Sequence, residues 1–364
     1  MKFRCERDIL SAALGTAGRA VPNRGNLPVL SGLRLRLDGD MLEVAGSDLD
    51  VTIRITTTVS GAGDGTAVIP SRLVGEIVRN LEAGAVEVAI DDDAVITSGR
   101  SEFSIRTYPA DEFPQLPEGE GREVVLDGAV LEHALRQVVR AASNDDNRPI
   151  LTGVQLEDSD DGLRLVATDS YRLALRDLPG ARDVLAADQR PLVPSKALQE
   201  LVRLLSDEAE VTLVLGDREV SFKVGDAVLT TRLLEGEFPN YRQLIPASYP
   251  NRLTVGREAL LDAVKRVKLL IQEPTTPVRL TMRSEGVEVA VITSDLGRAH
   301  EEVDAKYEGT ELVVAFNPDY LIEGVEAISG DEVVIESTDA LKPATVRSTE
   351  ADDFMYLLMP VRVT

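Results

Sequence analysis

The stretch "ATDSYRLALRDLP", Ala167 to Pro179, occurs in two weaker forms in the same chain, "AGSDLDVTIRI" from Ala45 and "ITSDLGRAHEEV" from Ile292. Each belongs to a longer phrase: "LPVLSGLRLRLDGDMLEVAGSDLDVTIRI" from 27, "RPILTGVQLEDSDDGLRLVATDSYRLALRDL" from 148 and "TTPVRLTMRSEGVEVAVITSDLGRAHEEV" from 275. Pro28 and Pro149 are 121 residues apart, as are Asp48 and Asp169, and Asp295 follows 126 residues later. Within the phrases apolar and polar residues alternate, as at Leu33, Leu35 and Leu37, which is the period of a half-buried strand. A repeat this long is a whole domain rather than one turn of a solenoid.

Helical patterns flank each phrase. Upstream lie "CERDILSAALGTAGRAV", "LDGAVLEHALRQVVRAA" and "VGREALLDAVKRVKLLI"; downstream lie "VIPSRLVGEIVRNL", "LVPSKALQELVRLL" and "VAFNPDYLIEGVEAI". In the middle copy Leu198, Leu201, Val202 and Leu205 share one helix face, with Ser195 as N-cap. In the third, Asn317 before Pro318 marks a helix start. The copies close on "DEFPQLP" at 111, "GEFPNYRQLIP" at 236 and "DDFMYLLMP" at 352. The pattern predicts an α+β fold of three repeated domains, residues 1–120, 121–250 and 251–364, each with two helices on antiparallel sheets.

The 364 residues are 43% apolar, so the chain reads as globular, and "MKFRCERDIL" puts charges where a signal peptide needs an apolar run. One cysteine, Cys5, fits a reducing, cytoplasmic setting, and no run is long enough to cross a membrane. With only His133 and His300 and no Cys/His cluster, no metal is expected. A phosphate-binding GxxxxGK[ST] loop, a HExxH helix and a GxSxG elbow are all missing, so no catalytic residue or cofactor is assigned. Acid runs such as "DDD" at 91 and "NDD" at 144 read as solvated loops.

A net charge of −23 argues against nucleic acid until the positions of the cations are compared. Arg72 and Arg79 in the first copy align with Lys196 and Arg203 in the second, each pair seven residues apart and so on one helix face. Arg19 aligns with Arg140, and Arg136 with Lys265, which precedes Arg266 and Lys268. The third copy breaks the pattern with Asp319 and Glu326. Two readings stand: solvated faces paired with neighbouring acids, or a basic lining that attracts phosphate without reading bases. Nothing resembles a base-reading motif.

Taken together, "LPVLSGLRL", "ATDSYRLA", "EFPNYRQLIP" and "LLMPVR", in that order along the whole chain, resemble the bacterial DNA sliding clamps, the β subunits of DNA polymerase III. The resemblance implies two protomers joined head to tail in a six-domain ring around double-stranded DNA, cytoplasmic and nucleoid-associated, hydrolysing nothing and opened by an ATP-driven loader. It implies DNA contacts at Arg24 in "PNRGN" and near Ser143 to Arg148, although Asp145 and Asp146 make that loop acidic here. The helix cations Arg72, Arg79, Arg136, Arg140, Lys196, Arg203, Lys265 and Arg266 would then line the hole. Phe103 and Ile105 would meet Leu269 and Leu270 at the dimer seam; the competing reading makes all four internal core. Partners, namely the polymerase III α subunit, the clamp loader δ subunit, repair polymerases and ligase, would dock short peptides in a pocket. By position its residues are Leu151, Thr168, Ser170, Tyr171, Arg172, Leu173, Pro239, Leu244, Met359, Pro360, Val361 and Arg362. Gln243, where some relatives carry a base, and the ending Val363-Thr364 depart from the family pattern. The residues alone leave two rival classes open, a peptide-binding scaffold without DNA and an intracellular hydrolase. Retention on circular DNA separates both from a clamp.

Overall fold

Leu33, Leu35 and Leu37 all face the interior from strand Gly32–Asp38, and Leu42 and Val44 of the next strand, Met41–Ser47, join them. The alternation read in the sequence is thus the inward face of a hairpin, in which Leu35 lies opposite Val44. The computed structural model describes residues 1–22, 27–160, 162–186, 189–206, 208–273 and 275–362. Among them are six α-helices, two per repeat: α1 (Arg7–Gly18), α2 (Ser71–Asn80), α3 (Gly128–Val138), α4 (Ser195–Leu205), α5 (Arg257–Lys268) and α6 (Pro318–Glu326). Asn317 caps α6 as expected, its Oδ1 accepting from the backbone N–H of Asp319 at 2.9 Å and of Tyr320 at 3.2 Å.

The chain forms two compact units, residues 1–132 with 196–233, and residues 133–195 with 234–364. In the first, α1 buries Leu10, Ala13, Leu14 and Ala17 in a core that also takes Val74 and Val78 of α2. Each such leucine contributes roughly 1.5–3 kcal/mol by leaving water. Gly46 lets α1 approach closely, since a Cβ there would lie 2.2 Å from the Ala17 carbonyl oxygen.

An eight-stranded sheet in this unit runs Arg122–Asp127, Glu210–Leu215, Glu219–Val224, Ala227–Arg232, Val51–Thr58, Met41–Ser47, Gly32–Asp38, Gly65–Pro70. At its centre a strand of the middle repeat pairs with one of the first, Leu229 opposite Ile53. A five-stranded sheet ends on Ser101–Arg106, which is an edge.

The second unit repeats the arrangement. Its nine-stranded sheet joins Arg172–Pro179 of the middle repeat to Phe354–Leu358 of the third, Ala174 opposite Tyr356. A four-stranded sheet runs Gly297–Val303, Gly286–Thr293, Val278–Arg283, Leu312–Phe316, so Gly297–Val303 is an edge.

Two sequence expectations are corrected here. "DDFMYLLMP" does not end its repeat as "DEFPQLP" and "GEFPNYRQLIP" do. Those two form short 3-10 turns, Ala110–Glu112 and Tyr241–Leu244, whereas Phe354–Leu358 is a wholly buried central strand. Nor is Asp295 the counterpart of Asp48 and Asp169. Asp48 Oδ1 accepts from the N–H of Asp50 (3.0 Å) and Val51 (2.7 Å), and Asp169 Oδ1 from Tyr171 (2.9 Å) and Arg172 (3.0 Å). Both turns put the next residue in the left-handed region, Leu49 at φ 82° and Ser170 at φ 81°. In the third copy the turn is held by Thr293 Oγ1, which accepts from Leu296 at 3.3 Å, and Gly297 takes the positive φ, 109°.

Candidate functional site

In the second unit the Asp169 turn leads into strand Arg172–Pro179, and the C-terminal strand Phe354–Leu358 lies beside it. The chain then turns back over that turn: Met359 N–H donates to the Tyr171 carbonyl at 2.9 Å and Val361 N–H to the Ala315 carbonyl at 2.7 Å. Beneath lies an apolar cluster of Val166, Leu173, Leu175, Tyr241, Met355 and Leu357, against which Phe238, Ile245 and Met359 pack. Around it Tyr171, at 58% exposure, and Leu244, at 44%, are large apolar groups held in water. Ser170, Pro239 and Arg362 are also exposed, and Met359, Pro360 and Val361 are half-buried. Leu151, Thr168, Arg172 and Leu173 are buried. Thr168 serves the turn, its Oγ1 donating to the Arg172 carbonyl at 2.6 Å.

Arg172 is not an open peptide-binding cation. Its Nε donates to Asp169 Oδ2 at 3.1 Å, its Nη1 to Glu323 of α6 and to Tyr356 Oη at 3.4 Å, and its guanidinium sits 4.3 Å from the centre of the Tyr320 ring. Burial disfavours the charged form, but Tyr356, Glu323 and Asp169 outweigh it and hold the guanidinium above its ordinary range. Tyr171 stacks on Tyr320, centroids 6.4 Å apart. A second network fixes the wall at 238–245. Glu157, a buried carboxylate, accepts from Tyr241 Oη, from Arg242 Nη2 at 2.8 Å and from Gln155 Nε2 at 3.2 Å. Burial first, then this bond, pushes the Tyr241 hydroxyl up to about 12. Tyr320, Glu323, Tyr356, Tyr241 and Glu157 were not singled out in the sequence; an unusual tyrosine in each of "NPDYL", "FMYLL" and "FPNYR" was the available signal.

The predicted cations divide by unit. In the first, Arg72 and Arg79 on α2 and Lys196 and Arg203 on α4 are exposed; Arg72 pairs with Glu76 at 3.3 Å and Arg203 with Glu200. In the second, Arg136 is exposed, while Arg140 donates to the Glu323 carbonyl at 3.2 Å. Lys265 bonds Glu326 at 2.9 Å, Lys268 bonds Asp319, and Arg266 grips Glu301 with two bonds of 2.6 and 2.7 Å. The hydrogen bond to Glu326 holds the Lys265 ammonium above its usual range. In the loop after α3, Asp145 accepts from the N–H and side-chain amide of Asn147 and from Arg148 Nε at 2.9 Å, so its acid shapes the loop. Arg24 lies outside the described residues.

Of the seam residues, Phe103 is exposed and Leu269, at 83%, is the most exposed large apolar side chain among the described residues. Ile105 is instead part of the first unit's core. Leu270 lines a cavity of about 330 Å³ with Ile292 and Leu296, two exposed residues the sequence did not mark.

Models of the DNA polymerase III beta subunit match the chain throughout: the N-terminal domain over residues 1–117, the central domain over 125–240 and the C-terminal domain over 242–362. The chain belongs to the DNA polymerase III beta subunit family. The beta sliding clamp of Streptomyces coelicolor is 35% identical and that of Bacillus subtilis 31%, each over the whole of both chains. The crystal structure of the Bacillus subtilis DNA polymerase sliding clamp superposes with a TM-score of 0.94 at 30% identity, covering both chains fully. A sliding clamp of Bartonella birtlesii bound to griselimycin gives 0.95 at 31%, again over both whole chains. The chain is therefore a DNA sliding clamp in function, a non-catalytic processivity factor of replication. Among the described residues no helix is long and apolar enough to cross a membrane.

Proposed function

We propose that two copies of this chain close head to tail around duplex DNA and receive partner peptides in the pocket beside Tyr171. The observation that carries the ring is a junction used twice. Leu229 opposite Ile53 and Tyr356 opposite Ala174 join successive repeats in one register. In each receiving sheet the paired residue lies opposite the third inward residue of the preceding strand, Gly46 for Ile53 and Ala167 for Ala174. Val291 takes that place in the third repeat and faces Ala299. On the donor side, Leu229 faces Phe222 and Phe103 faces Ile96 at matching places after the hairpin glycines Gly225 and Gly99. The same rule applied a third time sets Phe103 of one copy opposite Ala299 of another, with Glu102 opposite His300. It would pair edge Ser101–Arg106 with edge Gly297–Val303 and cover Phe103, Leu269, Ile292 and Leu296, removing two of the unpaired strands that otherwise invite aggregation.

Within such a ring the cations of α2, α3 and α4 would meet phosphates and hold every sequence alike. The exposed Tyr171 and Leu244 over an apolar floor suit a short peptide that inserts apolar side chains while Arg362 meets its polar groups. Pseudo-equivalent residues at the first junction, Thr52 for Leu173 and Thr230 for Leu357, are polar, which favours one apolar pocket per chain. The polymerase III α subunit, the loader δ subunit, repair polymerases and ligase are the proposed occupants, and griselimycin, bound by the Bartonella birtlesii relative, is a ready probe. Loaded protein should remain on nicked circular DNA at high salt and leave once the circle is cut. Truncation before Met359 should abolish griselimycin binding and polymerase stimulation while leaving the ring; unchanged binding by the truncated ring would overturn the pocket.

A further inference from the structure

The third repeat carries its own counter-ions for two of its lysines. Asp319 and Glu326 are seven residues apart on α6, hence on one face, and occupy the places held by Arg72 and Arg79 in the first repeat. They do more than leave a gap. Glu326 takes Lys265 at 2.9 Å and also draws Arg140 Nη1 to 3.8 Å, and Asp319 takes Lys268. Lys265, Glu326, Lys268 and Asp319 keep 36–57% of their side chains in water. Ion pairs this exposed add little to stability, so folding does not require them. Their consequence lies in what the lysines can no longer do: an ammonium already bonded to a carboxylate gains less from a phosphate and displaces fewer condensed counterions.

We propose that Asp319 and Glu326 are built-in competitors of DNA phosphate, which withhold Lys268 and Lys265 and lower the third repeat's share of the electrostatic grip. This rests on the DNA-lining reading above. A clamp held weakly on one third of its lining has fewer contacts to break as it moves, and the acids set that number.

The test is a salt titration of the intact ring on a fluorescein-labelled linear duplex, read as the slope of log K against log salt, with ring mass checked by sedimentation. Asp319→Asn with Glu326→Gln should steepen the slope by about 0.9 per lysine released. Lys265→Ala with Lys268→Ala should cancel that gain in the neutralised background and flatten the wild-type slope by less than half as much. Equal flattening in both backgrounds would mean that the lysines already reach DNA, and a gain that survives their removal would mean a diffuse charge effect; either overturns the proposal. Arg79→Ala, which removes an exposed cation of α2, should flatten the slope in every background. If it does not, the DNA-lining reading fails first, and that failure is distinguishable from the others.

Discussion

Asp169 holds Arg172 twice, once through the backbone N–H at 3.0 Å and once through Nε at 3.1 Å, with both side chains only 8% exposed. One carboxylate thus fixes the turn and neutralises the buried cation that ties α6 to it. Removing one partner of a buried pair costs roughly 3–5 kcal/mol. Asp169→Ala should approach that loss in denaturant unfolding of the second unit. Asp48→Ala, whose carboxylate serves only turn N–H groups, should cost about 1 kcal/mol. Equal losses would show that Arg172 is not what Asp169 supports.

Gly324 of α6 faces the Tyr356 ring, and a Cβ there would lie 2.5 Å from two ring carbons. Gly324→Ala should therefore destabilise by about 1–3 kcal/mol through overpacking. Gly15 of α1 has nothing within 4 Å of its Cβ position, so Gly15→Ala should stabilise by about 0.5–1 kcal/mol. Thermal midpoints of the two variants should move in opposite directions.

The proposed seam makes a covalent prediction. With Cys5 replaced by alanine, cysteines at Phe103 and Ala299 should cross-link under mild oxidation into a covalent dimer. Cysteines at Phe103 and Arg298, one register step away, should cross-link far less. Leu269→Lys should shift sedimentation toward monomer.

Burial first and Glu6 second push the Cys5 thiol up from 9.0 to about 11. The folded thiol should resist alkylation at a pH where the unfolded chain reacts. The unfolded state releases its proton first, so this group leaves stability untouched below pH 9.0 and lowers it as pH climbs toward about 11. Denaturation midpoints of wild type and Cys5→Ala measured across that window should show the smaller decline in the variant.

The threefold repeat, the six helices and the strand phrases were legible because a local period reports which face of each element is dry. Asn317 was legible as a cap because its bonds close within three residues. What sequence could not give were relations made between distant segments. Phe354 to Leu358 carries no alternation, since a central strand is buried on both faces, and so it read as a tail resembling two others. Arg172 read as a ligand-binding cation because its partners Glu323 and Tyr356 lie over 150 residues away. Ile105 and Phe103 sit two apart on one strand, and only packing separates the core residue from the exposed one. Asp319 and Glu326 looked like vacancies in a basic pattern until their lysines were found.

The middle repeat is a unit of sequence whose strands divide between the two compact units. Its strands Arg122–Asp127, Glu210–Leu215, Glu219–Val224 and Ala227–Arg232 belong to the first compact unit, and Gly153–Ser159, Gly162–Thr168 and Arg172–Pro179 to the second. A gene fragment cut at the repeat boundaries would leave each half of that repeat without the sheet it completes. Calorimetry of the whole chain should accordingly resolve into two melting blocks rather than three, and a designer wishing to shorten or permute this protein would have to cut through the repeat.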